Sequence, residues 1–313
     1  MKKKMISIVT GVYNEEIIVQ DVYRGIRDQM TKLKNYEYEH LFLDNCSEDQ
    51  TLPILKKIAA KDKHVKILSY SKNFGPIKSG FIGLKYATGD AVIYYEANMK
   101  DPISLIPVFI KNWENGYELV YGVRQQTSDN YLLGLMRRIY YRLVNVMSDE
   151  ELPLYFGGFG LIDRKIVNEV IQVDDYKPYV RGLLATVGFR HKKIDYVRGQ
   201  RPKGMGRSKS NLGYLIDFAI NGLISYSIKP IRILTFIGLG LSSVSMISAV
   251  IYLILKLLYW KVTVPGITGV IFLVLFFSGI QLFFLGVIGE YVGAIHSQVR
   301  KKPFVVIREK INF

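Results

Sequence analysis

Three short runs in this chain combine groups that can bind or move charge. Tyr13-Asn14-Glu15 offers a phenol, an amide and a carboxylate; Asp44-Asn45-Cys46-Ser47 offers hydrogen-bond acceptors around one carboxylate. Glu96-Ala97-Asn98 is followed by Met99-Lys100-Asp101, so two carboxylates, an amide and an ammonium fall within six residues. Asp44 can accept hydrogen bonds from a base or a ribose, or it can cap the helix that follows. A fourth run, Arg198, Arg201, Lys203, Arg207 and Lys209, contains no acid. It suits a diphosphate clamp or attraction to anionic lipid. Arg137, Arg138 and Arg142 share helical spacing with Tyr140 and Tyr141, and Phe156-Gly157-Gly158-Phe159-Gly160 lets backbone approach a ligand or simply turn at a strand edge.

The elements around these runs give them a common location. Through residue 125, short β-branched runs alternate with amphipathic helical ones. Strands are expected at residues 6–12, 38–43, 65–69, 91–95 and 118–121, and helices at 15–33, 49–60, 77–87 and 103–113. This rhythm predicts βαβ units on a mostly parallel sheet with helices on both faces. In such sheets ligands bind at the carboxyl ends of strands, where the first three runs fall. Ser47-Glu48-Asp49-Gln50 is expected to cap the second helix and Gly89 to end the third. No Gly-x-Gly-x-x-Gly follows the first strand and no Walker-type Gly-Lys-Ser/Thr occurs, which argues against ordinary dinucleotide and P-loop chemistry.

The last third changes character. Residues 231–258 and 266–289 are long apolar stretches, uncharged over 233–255 and 266–289. Each is long enough to cross a hydrocarbon core of about 30 Å. Before them, residues 212–228 place Leu212, Leu215, Ile216, Ala219, Ile220 and Leu223 at the spacing of an interfacial helix. Lys229 and Arg232 precede the first stretch, and Arg300, Lys301, Lys302, Arg308 and Lys310 follow the second. That bias predicts a multi-pass protein of the cytoplasmic membrane with both termini cytoplasmic and a short Tyr259–Pro265 tip outside. The expected division is a catalytic domain at 1–210, a juxtamembrane helix at 211–230, a transmembrane hairpin at 231–292 and a cytoplasmic tail at 293–313. Small residues, among them Gly238, Gly240, Ser242, Ser243, Gly286 and Gly289, permit close helix packing.

Composition narrows the partners. A formal charge of +15 with four histidines is permanent rather than pH-switched, and suits a membrane surface or an acidic small substrate. Lys32, Lys34, Lys56, Lys57, Lys61 and Lys63 read as solvated helix faces; without interleaved aromatics they do not predict nucleic-acid binding. One cysteine, Cys46, excludes an internal disulfide and a multi-cysteine metal site. The basic start Met1-Lys2-Lys3-Lys4 precedes too short an apolar run for a secretory signal, so the first strand is the plainer reading.

In order along the chain, Ile8-Val9-Thr10-Gly11-Val12-Tyr13-Asn14-Glu15-Glu16, Asp44–Thr51, Ser71-Lys72-Asn73-Phe74-Gly75, Gly89-Asp90-Ala91-Val92, Tyr121-Gly122-Val123-Arg124, residues 206–210 and Phe284-Leu285-Gly286-Val287-Ile288-Gly289-Glu290-Tyr291 form a recognisable series. With two terminal spans, it resembles the membrane-anchored family 2 glycosyltransferases that charge polyprenyl phosphates, the dolichyl-phosphate mannose synthase and bactoprenol glucosyltransferase group. The resemblance covers essentially the whole chain. It implies a nucleotide-diphosphate-sugar transferase fold and transfer of a sugar from a UDP- or GDP-linked donor to undecaprenyl phosphate or a related carrier. It also implies membrane lipids as surroundings and a homo-oligomer, in bacterial relatives a tetramer.

Carried over by position, donor binding falls to Thr10, Tyr13, Glu15, Asp44, Ser47, Lys78, Arg201, Arg207 and Lys209. Acceptor phosphate binding falls to Arg124, Arg137 and Arg138, and a glycine-rich acceptor loop to Gly157, Gly158 and Gly160. The catalytic positions become Glu96, Asn98, Lys100 and Asp101. Here the chain departs from the family. The Asp-x-Asp that holds Mg²⁺ or Mn²⁺ is Glu96-Ala97-Asn98, with Lys100 where many relatives carry Gln. Glu96, Asn98 and Asp101 are the remaining metal candidates. The alternative is metal-independent neutralisation of the diphosphate by the Lys100 ammonium. Gly158 stands where many relatives carry a catalytic aspartate. An active transferase and a degenerate, lipid-phosphate- or nucleotide-sugar-binding accessory protein both remain open, whereas a processive polysaccharide synthase is disfavoured because two spans cannot easily enclose a polymer channel.

Overall fold

The computed structural model describes residues 3–125, 156–173, 175, 178, 180, 183–184, 188–199, 231, 235–238, 240–241, 243–244, 247, 251, 254, 258, 267–300 and 303–313. Two compact units emerge. The first comprises Met1–Asn145, Glu150–Leu212 and Lys301–Phe313; the second comprises Val146–Asp149 and Gly213–Arg300.

The first unit is built on an eight-stranded sheet in the order β7-β5-β6-β4-β1-β2-β3-β8. Strands β1 (Lys4–Val12), β2 (Tyr36–Asp44), β3 (Val65–Tyr70) and β4 (Ala91–Glu96) are mutually parallel. Beyond β4 lie β6 (Phe156–Asp163), antiparallel to β4 and to β5 (Leu119–Gln125), then β5 itself and the parallel β7 (His191–Val197). Continuous apolar runs such as Ile6, Ile8 and Val9 in β1, and Leu41, Phe42 and Leu43 in β2, are completely buried. Such runs fit strands covered on both faces.

Helices α1 (Val19–Met30), α2 (Thr51–Lys61), α3 (Pro76–Tyr86) and α4 (Ile106–Glu114) supply those covers, the last entered through a 3₁₀ turn at Ile103–Leu105. Helix α1 buries Val19, Val22, Ile26 and Met30, a single stripe at helical spacing. One core cluster joins Ile26, Phe42, Tyr95, Phe109 and Phe159; another joins Val9, Leu43, Leu68, Phe81 and Val167 from α5 (Arg164–Val170).

Gly89 does not end α3, whose final turn closes at Ala87. It lies in the approach to β4, where an added Cβ would sit 2.6 Å from Ser7 N and 2.7 Å from Met5 O. Close backbone passage, rather than helix termination, requires glycine there.

Residues 303–313 do not trail away from this unit. Strand β8 (Ile307–Ile311) pairs antiparallel with β3, and Ser71 N donates to Val306 O at 3.0 Å. Phe304 meets Phe81 edge-on, Lys56 pairs with Glu309 at 2.6 Å, and the Asn312 amide donates to Ala59 O and Val65 O, both at 2.8 Å. An edge strand of this kind covers the unpaired backbone groups of β3.

In the second unit, α6 (Ile267–Val299) is a single helix of 33 residues, about 50 Å at 1.5 Å per residue. It extends beyond the span expected at 266–289, and its first charged residue is Glu290. Among the described residues one segment, Ile280–Val299, is long and apolar enough to cross a membrane, and none of it is buried within the protein. The other expected span, at 231–258, falls largely outside the described residues; Phe236, Val244 and Leu258 there are exposed.

Candidate active site

The loops after β1, β2 and β3 are laced together by side chains that satisfy one another's backbone. Asn14 N donates to Ser47 Oγ at 3.1 Å, and Glu48 N returns a bond to Asn14 Oδ1 at 2.8 Å. Glu15 N reaches Thr51 Oγ1 at 2.8 Å, while Glu16 exchanges bonds with Asp49 and Gln50. Asn45 bridges onward, accepting from Phe74 N at 3.0 Å and donating to Gly75 O at 3.3 Å. Ser47 and Asp49 therefore hold the neighbouring loop, and Asp49 also holds the start of α2, whose first amide, Thr51 N, donates to its Oδ1 at 2.9 Å. Of the expected Ser47–Gln50 cap only Asp49 bonds the helix start; Gln50, the residue at the N-cap, makes no side-chain cap bond.

Asp44 ends β2 and is completely buried. Ser47 N donates to Oδ1 at 3.1 Å and the Ser69 hydroxyl to Oδ2 at 3.0 Å, which fixes the carboxylate at the base of these loops. Tyr13 is 40% exposed on the rim. Asn14, Cys46 and Met99 hold left-handed backbone (φ 55°, 62° and 51°), one in each loop after β1, β2 and β4. Non-glycine residues adopt that region at a cost and concentrate at functional sites.

The second cluster lies after β4. Asp101 is 1% exposed; its Oδ1 accepts from the Tyr196 hydroxyl, its Oδ2 lies 3.5 Å from Arg124 Nη2, and Arg198 Nε lies 3.5 Å from Oδ1. Glu96 Oε2 faces the same two guanidinium groups, at 4.0 Å from Arg124 and 3.9 Å from Arg198, and accepts from Asn98 Nδ2 at 2.8 Å. Asn98 Oδ1 accepts Lys100 N at 2.9 Å, and Gly199 N donates to Lys100 O at 2.7 Å. Burial pushes the Tyr196 phenol up to about 12, aided by its bond to Asp101, so it remains a proton donor at neutral pH. Burial opposes the charge on Arg124, but the Asp101 carboxylate, the Tyr196 hydroxyl and Glu96 outweigh it and raise its pKa.

The sequence-derived residues divide accordingly. Tyr13, Glu15, Asp44 and Ser47 converge on the laced loops, and Glu96, Asn98, Lys100, Asp101 and Arg124 on the second cluster. Thr10 stands apart, completely buried with its hydroxyl 3.0 Å from His40 Nε2. Lys78 sits on α3 with its ammonium 5.2 Å from the Phe304 ring centre. Gly157, Gly158 and Gly160 lie in β6, an interior strand rather than an edge turn; Gly158 has φ 91°, and a Cβ at Gly160 would meet Val120 O at 2.6 Å. Arg137, Arg138, Arg201, Arg207 and Lys209 fall outside the described residues. Tyr196 and the ion pairs of Arg198 were missed, because no motif announces a contact between the end of β7 and the loop after β4.

The second cluster does not fit a divalent cation in this arrangement. Two carboxylates face two guanidinium groups, so the four formal charges cancel, and the Asn98 oxygen already accepts a backbone amide. Hard cations favour uncompensated oxygen ligands. Among the described residues no group of three His, Cys, Asp or Glu side chains converges.

A family model for glycosyl transferase family 2 matches residues 7–171. The uncharacterized glycosyltransferase YkcC of Bacillus subtilis (strain 168) is 34% identical over 304 residues, covering 97% of this chain and 93% of that protein. The bactoprenol glucosyl transferase of Shigella phage SfV is 33% identical over 306 residues, covering 97% of this chain and 98% of that protein. Among solved structures, glucosyl-3-phosphoglycerate synthase from Mycobacterium tuberculosis, in complex with Mn²⁺, UDP and glucosyl-3-phosphoglycerate, superposes with a TM-score of 0.48 and 19% identity, over 71% of this chain and 79% of that one. The chain belongs to glycosyl transferase family 2, in the group that includes the bactoprenol glucosyl transferases.

Proposed function

We propose that the protein transfers a sugar from a UDP- or GDP-linked donor to a polyprenyl phosphate such as undecaprenyl phosphate, at the cytoplasmic face of the membrane. The observation that carries this reading is the match of about a third of residues, over nearly the whole chain, to bactoprenol glucosyl transferases. In the reaction an oxygen of the lipid phosphate attacks the sugar's anomeric carbon. The bond from that carbon to the donor diphosphate breaks, and the nucleoside diphosphate leaves with its electron pair. The acceptor is already anionic near neutral pH, so neutralising the departing diphosphate is the harder task.

The chain's residues fit these steps. The laced loops after β1 and β2 form a rigid shelf for the nucleoside, with Asp44 at its base and Tyr13 on its rim. Arg124 and Arg198 bring positive charge to the loop after β4. Helix α6, apolar and exposed, supports membrane residence. Multi-pass insertion with cytoplasmic termini belongs to the proposal through the basic flanks and the apolar composition of residues 231–258. Product of this kind would feed extracytoplasmic glycan decoration.

A second reading is favoured by the charge-compensated cluster itself: a homologue that binds nucleotide sugar or lipid phosphate without turnover. Detergent-purified protein incubated with radiolabelled UDP- and GDP-sugars and undecaprenyl phosphate separates the two. Label in the lipid phase supports the transferase; binding of donor without lipid labelling from any sugar supports the accessory protein.

A further inference from the structure

The Glu96-Ala97-Asn98 run, which departs from Asp-x-Asp, faces two arginines in the structure. They stand where the resemblance implies a metal. We propose that the donor diphosphate is bound without a divalent cation, by the guanidinium groups of Arg198 and Arg124, with Glu96 and Asp101 serving as the counterions that hold them. This rests on the glycosyltransferase reading; it selects the diphosphate role for Arg198 over attraction to lipid, and moves Arg124 from the acceptor phosphate, where the resemblance put it, to the donor.

Four observations carry it. Arg198 follows β7 directly, and the Gly199 N bond to Lys100 O at 2.7 Å ties that segment to the loop after β4. Arg198 therefore stands beside the loop after β4, although far from it in sequence. Its side chain is 30% exposed, so it reaches solvent, yet Nε is buried and lacks a hydrogen-bond partner in this arrangement. Lastly, the two counterions do not hold the arginines alike: Asp101 lies 3.5 Å from each, and Glu96 farther from both. Asp101 is buried and carries the Tyr196 hydrogen bond, whereas Glu96 is 42% exposed, with long contacts of 3.9 and 4.0 Å.

Those differences describe an exchange. An incoming diphosphate takes the place of the loosely held Glu96 carboxylate, and Glu96 keeps the Asn98 amide, already at 2.8 Å, as its partner. Asp101 continues to anchor both guanidinium groups from below. Guanidinium forks match phosphate oxygens in a bidentate manner and remain charged at any working pH, which suits them to a permanent cation site. The positive charge at this position thus comes from β5 and the end of β7.

The test is calorimetric titration of the full-length protein in detergent with UDP and with GDP, in EDTA and in Mn²⁺. The expected result is that one of the two nucleotides binds equally well in both conditions. Arg198→Gln should weaken its binding about tenfold or more, leave binding of the corresponding nucleoside unchanged, and be partly rescued by Arg198→Lys. Thermal melts of both variants identify any loss due to unfolding. Binding that requires Mn²⁺, or an Arg198→Gln protein that melts normally and binds as tightly as the parent, would overturn the proposal while leaving the transferase reading to the lipid-labelling assay. Failure of both nucleotides to bind under either condition would overturn the two together.

Discussion

Tyr196, on the last strand before the basic segment, donates its hydroxyl proton to Asp101, on the loop after β4, and the two lie 95 residues apart in sequence. The bond closes the far side of the sheet over the charge cluster. Tyr196→Phe removes a hydrogen bond to a charged group, and should lower stability by about 1.5–3 kcal/mol in urea titration. Asp101→Ala leaves two guanidinium groups without their buried counterion and should cost more, about 3–5 kcal/mol. If Tyr196→Phe matched the parent in both stability and donor KM, the pairing would be incidental.

Asn14 combines left-handed backbone with an amide that accepts from Glu48 N. Two substitutions separate those roles. Asn14→Gly keeps the backbone freedom and loses the acceptor, whereas Asn14→Ala loses both, so the alanine protein should be the less stable by about 1 kcal/mol. Under the proposed donor site at the laced loops, both should raise donor KM more than they lower kcat. Steady-state kinetics against donor concentration provides the measurement.

Acid sensitivity should come from the buried start of β2. Burial holds His40 neutral, with its pKa lowered to about 3, while the unfolded chain titrates near 6.5. The unfolded state thus binds the extra proton first, and stability falls as pH drops from about 6.5 toward 3, by up to about 1.4 kcal/mol per pH unit. Glu39 adds to this at lower pH. Burial alone would raise its pKa, but Lys66, Ser7 and the Thr88 amide overcome burial and hold it below the usual carboxylate range. Its contribution is present above the unfolded pKa and is lost as pH falls through the folded one. Urea midpoints from pH 7 to pH 4 should decline for the parent and more gently for His40→Gln.

Strand β8 makes the C-terminal residues part of the first unit. Deleting residues 303–313 would expose the β3 edge and remove Phe304, Val305 and Ile307 from the core cluster they join. The truncated protein is expected to aggregate or melt well below the parent. Asn312→Gly is the milder probe: it keeps the left-handed backbone (φ 62°) but loses the bonds to Ala59 O and Val65 O, at a cost of about 1–2 kcal/mol by thermal melting.

Much of the first sheet was legible because local pattern and tertiary role agree there. The apolar runs of β1 through β4 and the stripe on α1 can be read without knowing what covers them. The same holds for Asp44 and Glu96, which end strands and fall where parallel sheets bind ligands. Gly89 misled because a glycine near a helix end ordinarily stops the helix, while here Ser7 and Met5 crowd it from β1. Strands β6 and β7 were not foreseen: glycines dominate the start of one, and polar residues such as Lys192 and Lys193 interrupt the other. Strand β8 reads as a charged tail, since only pairing with β3 at a separation of some 240 residues gives Ile307 and Ile311 anything to pack against. The approach of Arg124 and Arg198 to Glu96 was not legible for a similar reason, because it depends on β5 and β7 arriving there.

The β3–β8 pairing also imposes a parity condition. Residues on either side of the apolar segment hydrogen-bond within one sheet, so the chain cannot begin on one side of a bilayer and finish on the other. Every outward crossing by the intervening segment must be answered by an inward one. If α6 spans the membrane it therefore cannot do so alone, and its companion must come from residues 126–266. Residues 231–258 have the composition for it. A protease or a membrane-impermeant label should then find the front of the chain and its last residues accessible from the same side, or from neither.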